Sequence, residues 1–414
     1  MKSDLDALMQ ARNLEAILIT GPASHNPPMV YLTGGVHVTV ADLIKVRGAA
    51  PILYHQAMER DEAARTGLAL QDYAGFEYGK LIKQCNGDAI QASAVLYQKM
   101  LTDQGITSGR LAVYGQSDAG NAYAIFSALQ KLMPDLTVVG EAGNSLLLLA
   151  RLTKSADEIE RIRRMGQVTI AVVDQVAEFL TSHSIEAGVL IKPDGHPLTI
   201  GDVKNRINLW LAERGVENPE GTIFSIGRDA AVPHSVGNPA DLMRQGQTIV
   251  FDIYPCEAGG GYFYDLTRTW CLGYAPDETY KLYEDVLTVF HQVLSEMVPG
   301  AFYPDYHARA CDLFEELGHP TLRTNPRSTD GFVHGLGHGV GLDIHERPLY
   351  GNNATQDDCL SPGAVVTIEP GLYYPERGIG VRLEDTLWVD PEGGIRPLAE
   401  YPLDLVLPMS KVKK

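Results

Sequence analysis

Basic residues and cysteines are both scarce in this chain, and each shortage excludes a class of protein. Lys and Arg total 34 against 52 Asp and Glu, which gives a formal net charge of −18 and disfavours nucleic acid and anionic membranes as partners. The five cysteines are scattered, without a C-x-x-C pair, so reduced thiols are expected rather than a disulfide framework. Residues 146–150 form the longest purely apolar run, which is too short to cross a bilayer. Residues 1–10 lack the apolar stretch of a signal peptide, so a cytoplasmic location is expected.

A length of 414 residues exceeds one ordinary core and predicts two domains. Residues 1–150 are expected to form an α/β domain. Its predicted strands and its clearest predicted helix lie at residues 16–20, 30–35, 51–54 and 111–114 and at residues 119–133. The second domain, residues 151–414, is expected to begin at a capping box of Ser155 and Glu158, which opens a helix to about residue 182.

The second domain is predicted to run through one plan twice, as two helices followed by a strand pair. The first half comprises helices at residues 156–182 and 202–214 and strands at 248–255 and 262–272. The second half comprises helices at residues 277–297 and 305–318 and strands at 364–374 and 380–389. We therefore expect an α+β domain of two pseudo-symmetric helix–helix–hairpin halves around a central antiparallel sheet.

Each predicted strand pair carries two carboxylates, Asp252 with Asp265 and Glu369 with Glu384. One acid in an apolar strand would be explained by exposure or by an arginine partner, because burying it alone is costly. Four acids beside a histidine cluster exceed the nearby basic residues, and divalent metal ions would answer the excess charge. A ligand set so rich in oxygen atoms favours manganese, with cobalt, iron or zinc as alternatives. Two such ions about 3.5–4 Å apart can activate water and polarise a carbonyl group.

Three histidines, His334, His338 and His345, lie in one short segment with alternating glycines. That glycine density disfavours a helix, so the segment is predicted to be extended, and the helical H-E-x-x-H zinc motif is excluded. In an extended segment His334 and His338 face one way and His345 faces the other, unless the chain bends. Alone, this segment fits a glycine-rich turn as well as it fits a functional site.

The order of these residues resembles that of the pita-bread metallopeptidases, which include methionine aminopeptidase, aminopeptidase P and prolidase. The matching stretches are FDIYP, YDLTRTW, HGLGHGVGLDIHE, TIEPGLY and GVRLEDT. Residues 1–150, with NPPMVYLTGG, are similar to the creatinase-type domain of aminopeptidase P and prolidase. Methionine aminopeptidase lacks that domain, so the resemblance favours the other two members.

The resemblance implies a role for each of these side chains. It implies five ligands for two divalent metal ions, with manganese expected, namely Asp252, Asp265, His338, Glu369 and Glu384. It further implies that His234 contacts the scissile amide, His345 the substrate carbonyl and His334 the substrate pocket. Glu369 would also shuttle a proton, and Arg382 would hold a ligand in place.

One spacing departs from the family pattern. The two aspartates are usually eleven residues apart, whereas Asp252 and Asp265 are thirteen apart. Both differences are odd, so a two-residue hairpin can keep the pair directly opposed. We expect the turn at Ala258-Gly259, with a bulge at residues 259–261 as the alternative. The same parity predicts that Glu369 faces Glu384, with Gly378 near the second turn.

The resemblance implies an Xaa-Pro aminopeptidase that acts on small proline-containing peptides, with an Xaa-Pro dipeptidase as the alternative. A homodimer is expected. A non-catalytic binding protein of the same fold is disfavoured because all five ligand positions are filled. A creatinase-like amidinohydrolase, which needs no metal, is disfavoured by the same acids.

Overall fold

The computed structural model describes residues 4–351 and 353–409. The chain divides into two compact units. The first comprises Met1–Arg151 with Gly259–Gly261, and the second comprises Leu152–Ala258 with Tyr262–Lys414. Within the described residues, no helix has both the length and the apolar character needed to cross a membrane.

The first unit is a mixed sheet flanked by helices. Its strands pair in the order β4-β3-β2-β1-β5-β6. Alternate residues of β1 enter different cores, with Ile17 and Ile19 in one and Ala16 and Leu18 in the other, so both faces of the sheet are covered. The strands are β1 Ala16–Gly21, β2 Ala41–Val46, β3 Ile52–His55, β4 Ala69–Asp72, β5 Gly109–Gly115 and β6 Leu136–Gly140. The helices are α1 Leu5–Ala11, α2 Pro27–Thr33, α3 Arg60–Ala64, α4 Tyr78–Gln84, α5 Ala89–Asp103, α6 Ala119–Leu132 and α7 Leu146–Arg151.

The strand predicted at residues 30–35 is wrong, because those residues lie largely in α2. Pro27 and Pro28 occupy the first turn of that helix, where a fixed φ and a missing N–H are both tolerated. Gly34 ends the helix in a left-handed conformation, at φ +81°, as is common after a helix. The apolar residues between them belong to a short helix that their pattern alone does not distinguish from a strand.

The second unit has the twofold helix–helix–hairpin plan. Helices α8 Ala156–Thr181 and α9 Ile200–Glu213 precede one hairpin, and α10 Asp277–Glu296 and α11 Tyr303–Glu316 precede the other. The predicted capping box is present, since Ser155 and Glu158 satisfy each other's backbone N–H groups at the start of α8. The remaining strands are β7 Ser184–Glu186, β8 Val189–Ile191, β9 Val216–Glu217, β10 Thr222–Ile226, β11 Thr248–Ile253, β12 Cys256–Glu257, β13 Leu266–Leu272, β14 Val365–Ile368, β15 Gly371–Tyr374, β16 Ile379–Arg382, β17 Glu384–Asp390, β18 Gly394–Pro397 and β19 Val406–Leu407.

The two halves meet in one central sheet. Its strands run in the order β10-β11-β13-β17-β14, and each neighbouring pair in that order is antiparallel. The junction between the halves is the pairing of β13 with β17, where Thr267 lies opposite Glu384. The fold class predicted for the second unit is confirmed.

The predicted direct opposition of Asp252 and Asp265 is wrong by two residues. Asp252 pairs with Thr267, and Cys256 bridges Phe263 in the same register, so the chain reverses at Gly259-Gly260 without a bulge. Those glycines have φ of +83° and +76°, as a type I′ turn requires at both central positions. A turn at Ala258-Gly259 would force an alanine into that conformation, which explains the shift. Asp265 still lies on the same face as Asp252, because it is two residues from Thr267.

The second hairpin has the predicted register. Ile368 pairs with Asp385 and Gly371 pairs with Arg382, so Glu369 falls opposite Glu384 between these two pairs. Gly378 follows the turn with φ +66°. The parity prediction therefore holds for the glutamates, whose turn contains no ambiguous run of glycines.

Two glycines of the second unit offer a matched test of backbone strain. Gly221 and Gly237 both have φ +80°, but a Cβ at Gly237 would lie 2.2 Å from the Phe224 carbonyl oxygen, whereas one at Gly221 would meet nothing within 4 Å. We expect Gly221→Ala to lower the free energy of unfolding by about 1 kcal/mol through positive φ alone. Gly237→Ala should cost about 2 kcal/mol or more, because the clash adds to the same strain. Urea unfolding of both variants checks this, and equal losses would show that the close approach does not matter.

Candidate metal centre

Five acidic side chains and four histidines line one cavity of the second unit. The cavity measures about 230 Å³, and all the residues predicted for the site line it. They are His234, Asp252, Asp265, His334, His338, His345, Glu369, Arg382 and Glu384. These side chains come from several separate segments of the chain, and the fold brings them into one cavity.

The acids are supplied by the centre of the sheet. Thr267 lies between Asp252 on β11 and Glu384 on β17, and its hydroxyl donates to Glu384 Oε2 at 2.7 Å. Since alternate residues share a face, this register points all of these side chains, and Asp265 two residues earlier, toward one side. The hairpin pairing therefore fixes where the acids lie.

His338 stands at the middle of the acids. Its Nε2 lies 3.4 Å from Asp265 Oδ2, 3.8 Å from Glu369 Oε1 and 3.8 Å from Glu384 Oε1. Potential ligand atoms of Asp265, His338 and Glu384 all lie within 4.8 Å of one another. Burial lowers the pKa of His338 to about 3, so its imidazole is neutral, the form that binds a metal ion.

The acids carry more negative charge than their surroundings neutralise. Burial and then the charges of the neighbouring carboxylates raise the pKa of Asp265 and of Glu384 well above the usual range. Burial likewise raises the pKa of Glu369 to about 8, with Arg382 opposing the shift. This pattern is typical of carboxylates gathered without enough cations.

Some of the carboxylate oxygens also lack hydrogen bonds to the described residues. Among the described residues, Asp252 Oδ1, Asp265 Oδ1 and Glu384 Oε1 are buried without a partner. Buried polar atoms are normally paired, so three such oxygens in one cavity call for a ligand. A set of carboxylates and one neutral imidazole fits divalent cations, and manganese suits its many oxygens.

Arg382 is the single Arg or Lys among the described residues that line the cavity, and its hydrogen bonds are already committed. Its Nη2 donates to Asp252 Oδ2 at 2.7 Å, and its Nη1 donates to the Tyr373 hydroxyl at 2.7 Å and the Pro233 carbonyl at 3.1 Å. Arg382 therefore orients Asp252, the function that the resemblance implies for it.

The glycines of the histidine segment allow close packing against the sheet. A Cβ at Gly337 would lie 2.2 Å from the Thr367 carbonyl oxygen, and one at Gly339 would lie 2.1 Å from the Arg347 carbonyl oxygen. The Thr367 N–H donates to the His338 carbonyl at 2.8 Å, which secures the segment beside β14. Residues 334–346 form no helix, as the glycine density predicted, and side chains at Gly337 and Gly339 would prevent this close approach.

His345 does not face away from His338, as a straight extended segment would require. The two rings lie 4.4 Å apart between centroids, because the chain turns back and Gly339 bridges Glu346 in an antiparallel manner. Partial burial lowers the pKa of His345, an effect that Glu220 and Asp252 oppose. The reversal brings all three histidines to one cavity.

Tyr373 was not predicted from the sequence to belong to the site, yet it contacts two of its residues. Its hydroxyl lies 2.9 Å from His334 Nε2 and accepts from Arg382. A Cβ at Gly371 would lie 2.6 Å from that hydroxyl, so the glycine leaves the space that Tyr373 occupies. The pairing of Gly371 with Arg382, together with the alternation of β15, could have indicated this contact. Glu220 and Tyr254 also line the cavity, and Thr267 donates a hydrogen bond to Glu384. No sequence motif marked these three residues as part of the site.

Comparison with known proteins identifies the family. The sequence profile of metallopeptidase family M24 matches residues 160–391, which is more than half of the chain. This chain belongs to the M24 metallopeptidases.

A curated relative and two solved structures illustrate the similarity. The Xaa-Pro dipeptidase of Pyrococcus furiosus is 30% identical over 59% of this chain, and the match spans 63% of that relative's length, less than two thirds of it. The crystal structure of a dipeptidase from Pyrococcus horikoshii OT3 matches with a TM-score of 0.74 and 22% identity over 98% of this chain and 99% of that one. An X-Pro aminopeptidase from Thermotoga maritima MSB8 matches with a TM-score of 0.72 and 22% identity over 95% and 97%. At these identities the two structures show the fold, and nearly the whole chain shares it.

A buried ion pair holds the loop that carries His345. Lys154 Nζ lies 2.6 Å from Glu346 Oε1, and each side chain is only 1% exposed. We expect Lys154→Met to lower the free energy of unfolding by about 3–5 kcal/mol, because the buried Glu346 carboxylate loses its contact with the Lys154 ammonium group. Chemical denaturation measures the loss.

Two further variants control for the loss of packing. Lys154→Arg retains the charge and should recover much of the stability. The double variant Lys154→Met/Glu346→Gln removes both charges and should be more stable than Lys154→Met. If the double variant lost as much stability as Lys154→Met and Glu346→Gln lose when added together, the ion-pair explanation would be contradicted.

Proposed function

We propose that this chain is a metal-dependent peptidase that hydrolyses the bond before a proline at the second position and releases the amino-terminal residue. The observation that carries the proposal is the group of buried carboxylates around His338, three of whose oxygens have no hydrogen-bond partner among the described residues. Such a group has no structural benefit, since uncompensated buried charge destabilises a fold. Membership of the M24 family supports peptide hydrolysis as its use.

Two divalent ions would be held by Asp252, Asp265, His338, Glu369 and Glu384. When bound, they would supply an activated water and an electrophile for the substrate carbonyl. Manganese is the expected metal, and cobalt, iron and zinc are the alternatives. Arg382 would keep the Asp252 carboxylate in its ligand orientation through their 2.7 Å contact.

The chain's own groups provide the proton transfers and the hydrogen bonds. Glu369 lies between His338 and His334, at 3.8 Å from each, and its raised pKa suits a carboxyl group that receives a proton and passes it on. The receiving atom is the proline nitrogen, which leaves as a secondary amine. His345 and His234 are exposed side chains on the cavity wall, where they would donate hydrogen bonds to the carbonyl oxygen and to the scissile amide region.

Proline selectivity is consistent with this set of groups. The bond before proline is a tertiary amide without an N–H, and its nitrogen must be protonated as it leaves. The name of the Pyrococcus furiosus relative, Xaa-Pro dipeptidase, supports the same bond as the target.

The charge of the cavity favours a peptide that continues beyond the proline. A dipeptide would place its terminal carboxylate beside Glu369 and its acidic neighbours, and the described lining offers Arg382 as its only Arg or Lys. That arginine is occupied by Asp252, Tyr373 and Pro233. A longer peptide carries its carboxylate farther away, which avoids the repulsion. The alternative, an Xaa-Pro dipeptidase, is supported by the name of the same relative.

The function is tested with stripped and metal-loaded protein. Activity on Ala-Pro-Ala should be lost after chelation and should return with manganese, because the carboxylates then regain their cations. Elemental analysis should find two ions per loaded chain. Full activity of protein shown to be metal-free would contradict the proposal. Cleavage of Ala-Pro without cleavage of Ala-Pro-Ala would favour the dipeptidase.

The histidines should separate into two classes. His338→Ala should reduce the metal content, since its Nε2 is central to the acids, and should lower kcat by about a hundredfold or more. His345→Ala and His234→Ala should keep both metals and lower kcat by about a hundredfold as hydrogen-bond donors are lost. Elemental analysis and steady-state kinetics on the same samples check this. Metal loss from the His345 variant with retention in the His338 variant would reverse the roles.

A further inference from the structure

A second cavity of about 340 Å³ adjoins the proposed site and shares His334 with it. Among the described residues, its lining contains no Asp, Glu, Lys or Arg, in contrast to the acidic cavity. The lining side chains are aromatic, aliphatic or uncharged, namely His307, Cys311, Leu322, Phe332, His334 and Tyr350. We call it the side pocket.

The side pocket is a built space with packed aromatic walls. The ring of His307 lies 5.5 Å from that of Phe332 and 5.2 Å from that of Tyr350. A Cβ at Gly335 would lie 1.5 Å from the Tyr350 ring, so the glycine beside His334 is what admits that ring. Aromatic rings at these separations favour an apolar or aromatic occupant.

His307 leaves one polar atom for such an occupant. Its Nδ1 is buried and has no hydrogen-bond partner among the described residues, while its Nε2 lies 3.8 Å from Cys311 Sγ. Burial lowers the pKa of His307, so the imidazole is neutral and adds no charge to the pocket. The wall can therefore exchange one hydrogen bond with a bound group, as selective small-molecule sites do.

The position of His334 assigns the side pocket to one end of the substrate. His334 Nδ1 lies 3.8 Å from Glu369 Oε2, and His338 Nε2 lies 3.8 Å from the other oxygen of the same carboxylate. In the proposed reaction Glu369 passes a proton to the proline nitrogen, so His334 lies on the side of the leaving peptide. Each residue of an extended peptide advances by about 3.3 Å, which brings the residue after proline toward the space beyond His334.

We infer that the side pocket is a subsite for the uncharged, apolar or aromatic side chain of the residue that follows the proline. This inference rests on the proposed function and deepens it, because it makes the third residue a determinant of rate. Leu322 is 38% exposed and lines the pocket, so it can be replaced with little risk to the fold.

The test compares kcat/KM for Ala-Pro-Phe, Ala-Pro-Gly and Ala-Pro-Lys with the metal-loaded full chain. We expect the phenylalanine peptide to exceed the glycine peptide by about tenfold or more, since its ring is buried. Leu322→Glu should raise the ratio of the lysine peptide to the phenylalanine peptide by about tenfold, because a carboxylate would then face the third residue. Partial unfolding of the variant would lower kcat/KM for both peptides together and would not change their ratio.

Two comparisons complete the experiment. Leu209→Glu alters a leucine on α9 that is somewhat more exposed (46%) and should leave that ratio within about twofold of the starting protein. Calorimetry with the leaving peptides should show tighter binding of Pro-Phe than of Pro-Gly, and Leu322→Trp, which fills the pocket, should reduce the difference.

The outcomes separate the inference from the proposed function. If no Ala-Pro-Xaa peptide is cut by protein that holds its metals, the proposed function fails and the subsite fails with it. If the peptides are cut but the third residue changes kcat/KM by less than about twofold, or Leu322→Glu leaves the ratio unmoved, the subsite alone is overturned.

Discussion

The main physical constraint on the second unit is the concentration of negative charge at the junction of its two hairpins. Asp252, Thr267 and Glu384 lie side by side across three strands, and the carboxylates point into one cavity. Like charges at this separation would oppose folding if every group stayed ionised. The raised pKa values of Asp265, Glu369 and Glu384 reflect the same repulsion, as do the three carboxylate oxygens without a hydrogen-bond partner among the described residues. Divalent cations would relieve this repulsion, so the arrangement of the acids and the proposed activity would have one physical origin.

The remainder of the second unit holds this arrangement in place. Arg382 steadies Asp252 and Tyr373 together, while the glycines let the histidine segment lie directly against β14. Lys154 fixes Glu346, the residue after His345, by a buried ion pair. The loop carrying His345 is thus held by the start of the second unit, far away in the sequence. Rigid support of this kind is what a metal site needs, because small displacements of ligands weaken binding.

The acidic cavity and the side pocket would bind different parts of the proposed substrate. The first gathers charge for the reaction, and the second is uncharged and aromatic. His334 stands at their boundary, with Glu369 on one side and the ring of Phe332 5.4 Å away. A substrate that spans both would have its scissile bond in the charged cavity and an apolar side chain in the other.

The resemblance to the pita-bread metallopeptidases implied which residues share the cavity, whereas the sequence by itself determined the helix–helix–hairpin plan and the absence of a helix in the histidine segment. It could do so because helical periodicity, glycine density and parity of strand register are local properties of the chain. It also placed Glu369 opposite Glu384, since their turn has a single clear position. Only the tertiary structure decided the register of Asp252 with Thr267, where a choice among adjacent glycines rests on φ at two residues. It alone brought His345 back beside His338 and Tyr373 onto Arg382, because a chain reversal and a cross-strand contact depend on what packs against the segment. The side pocket has the same origin, since His307 and Tyr350 are distant in sequence and meet only when α11 packs beside the histidine segment.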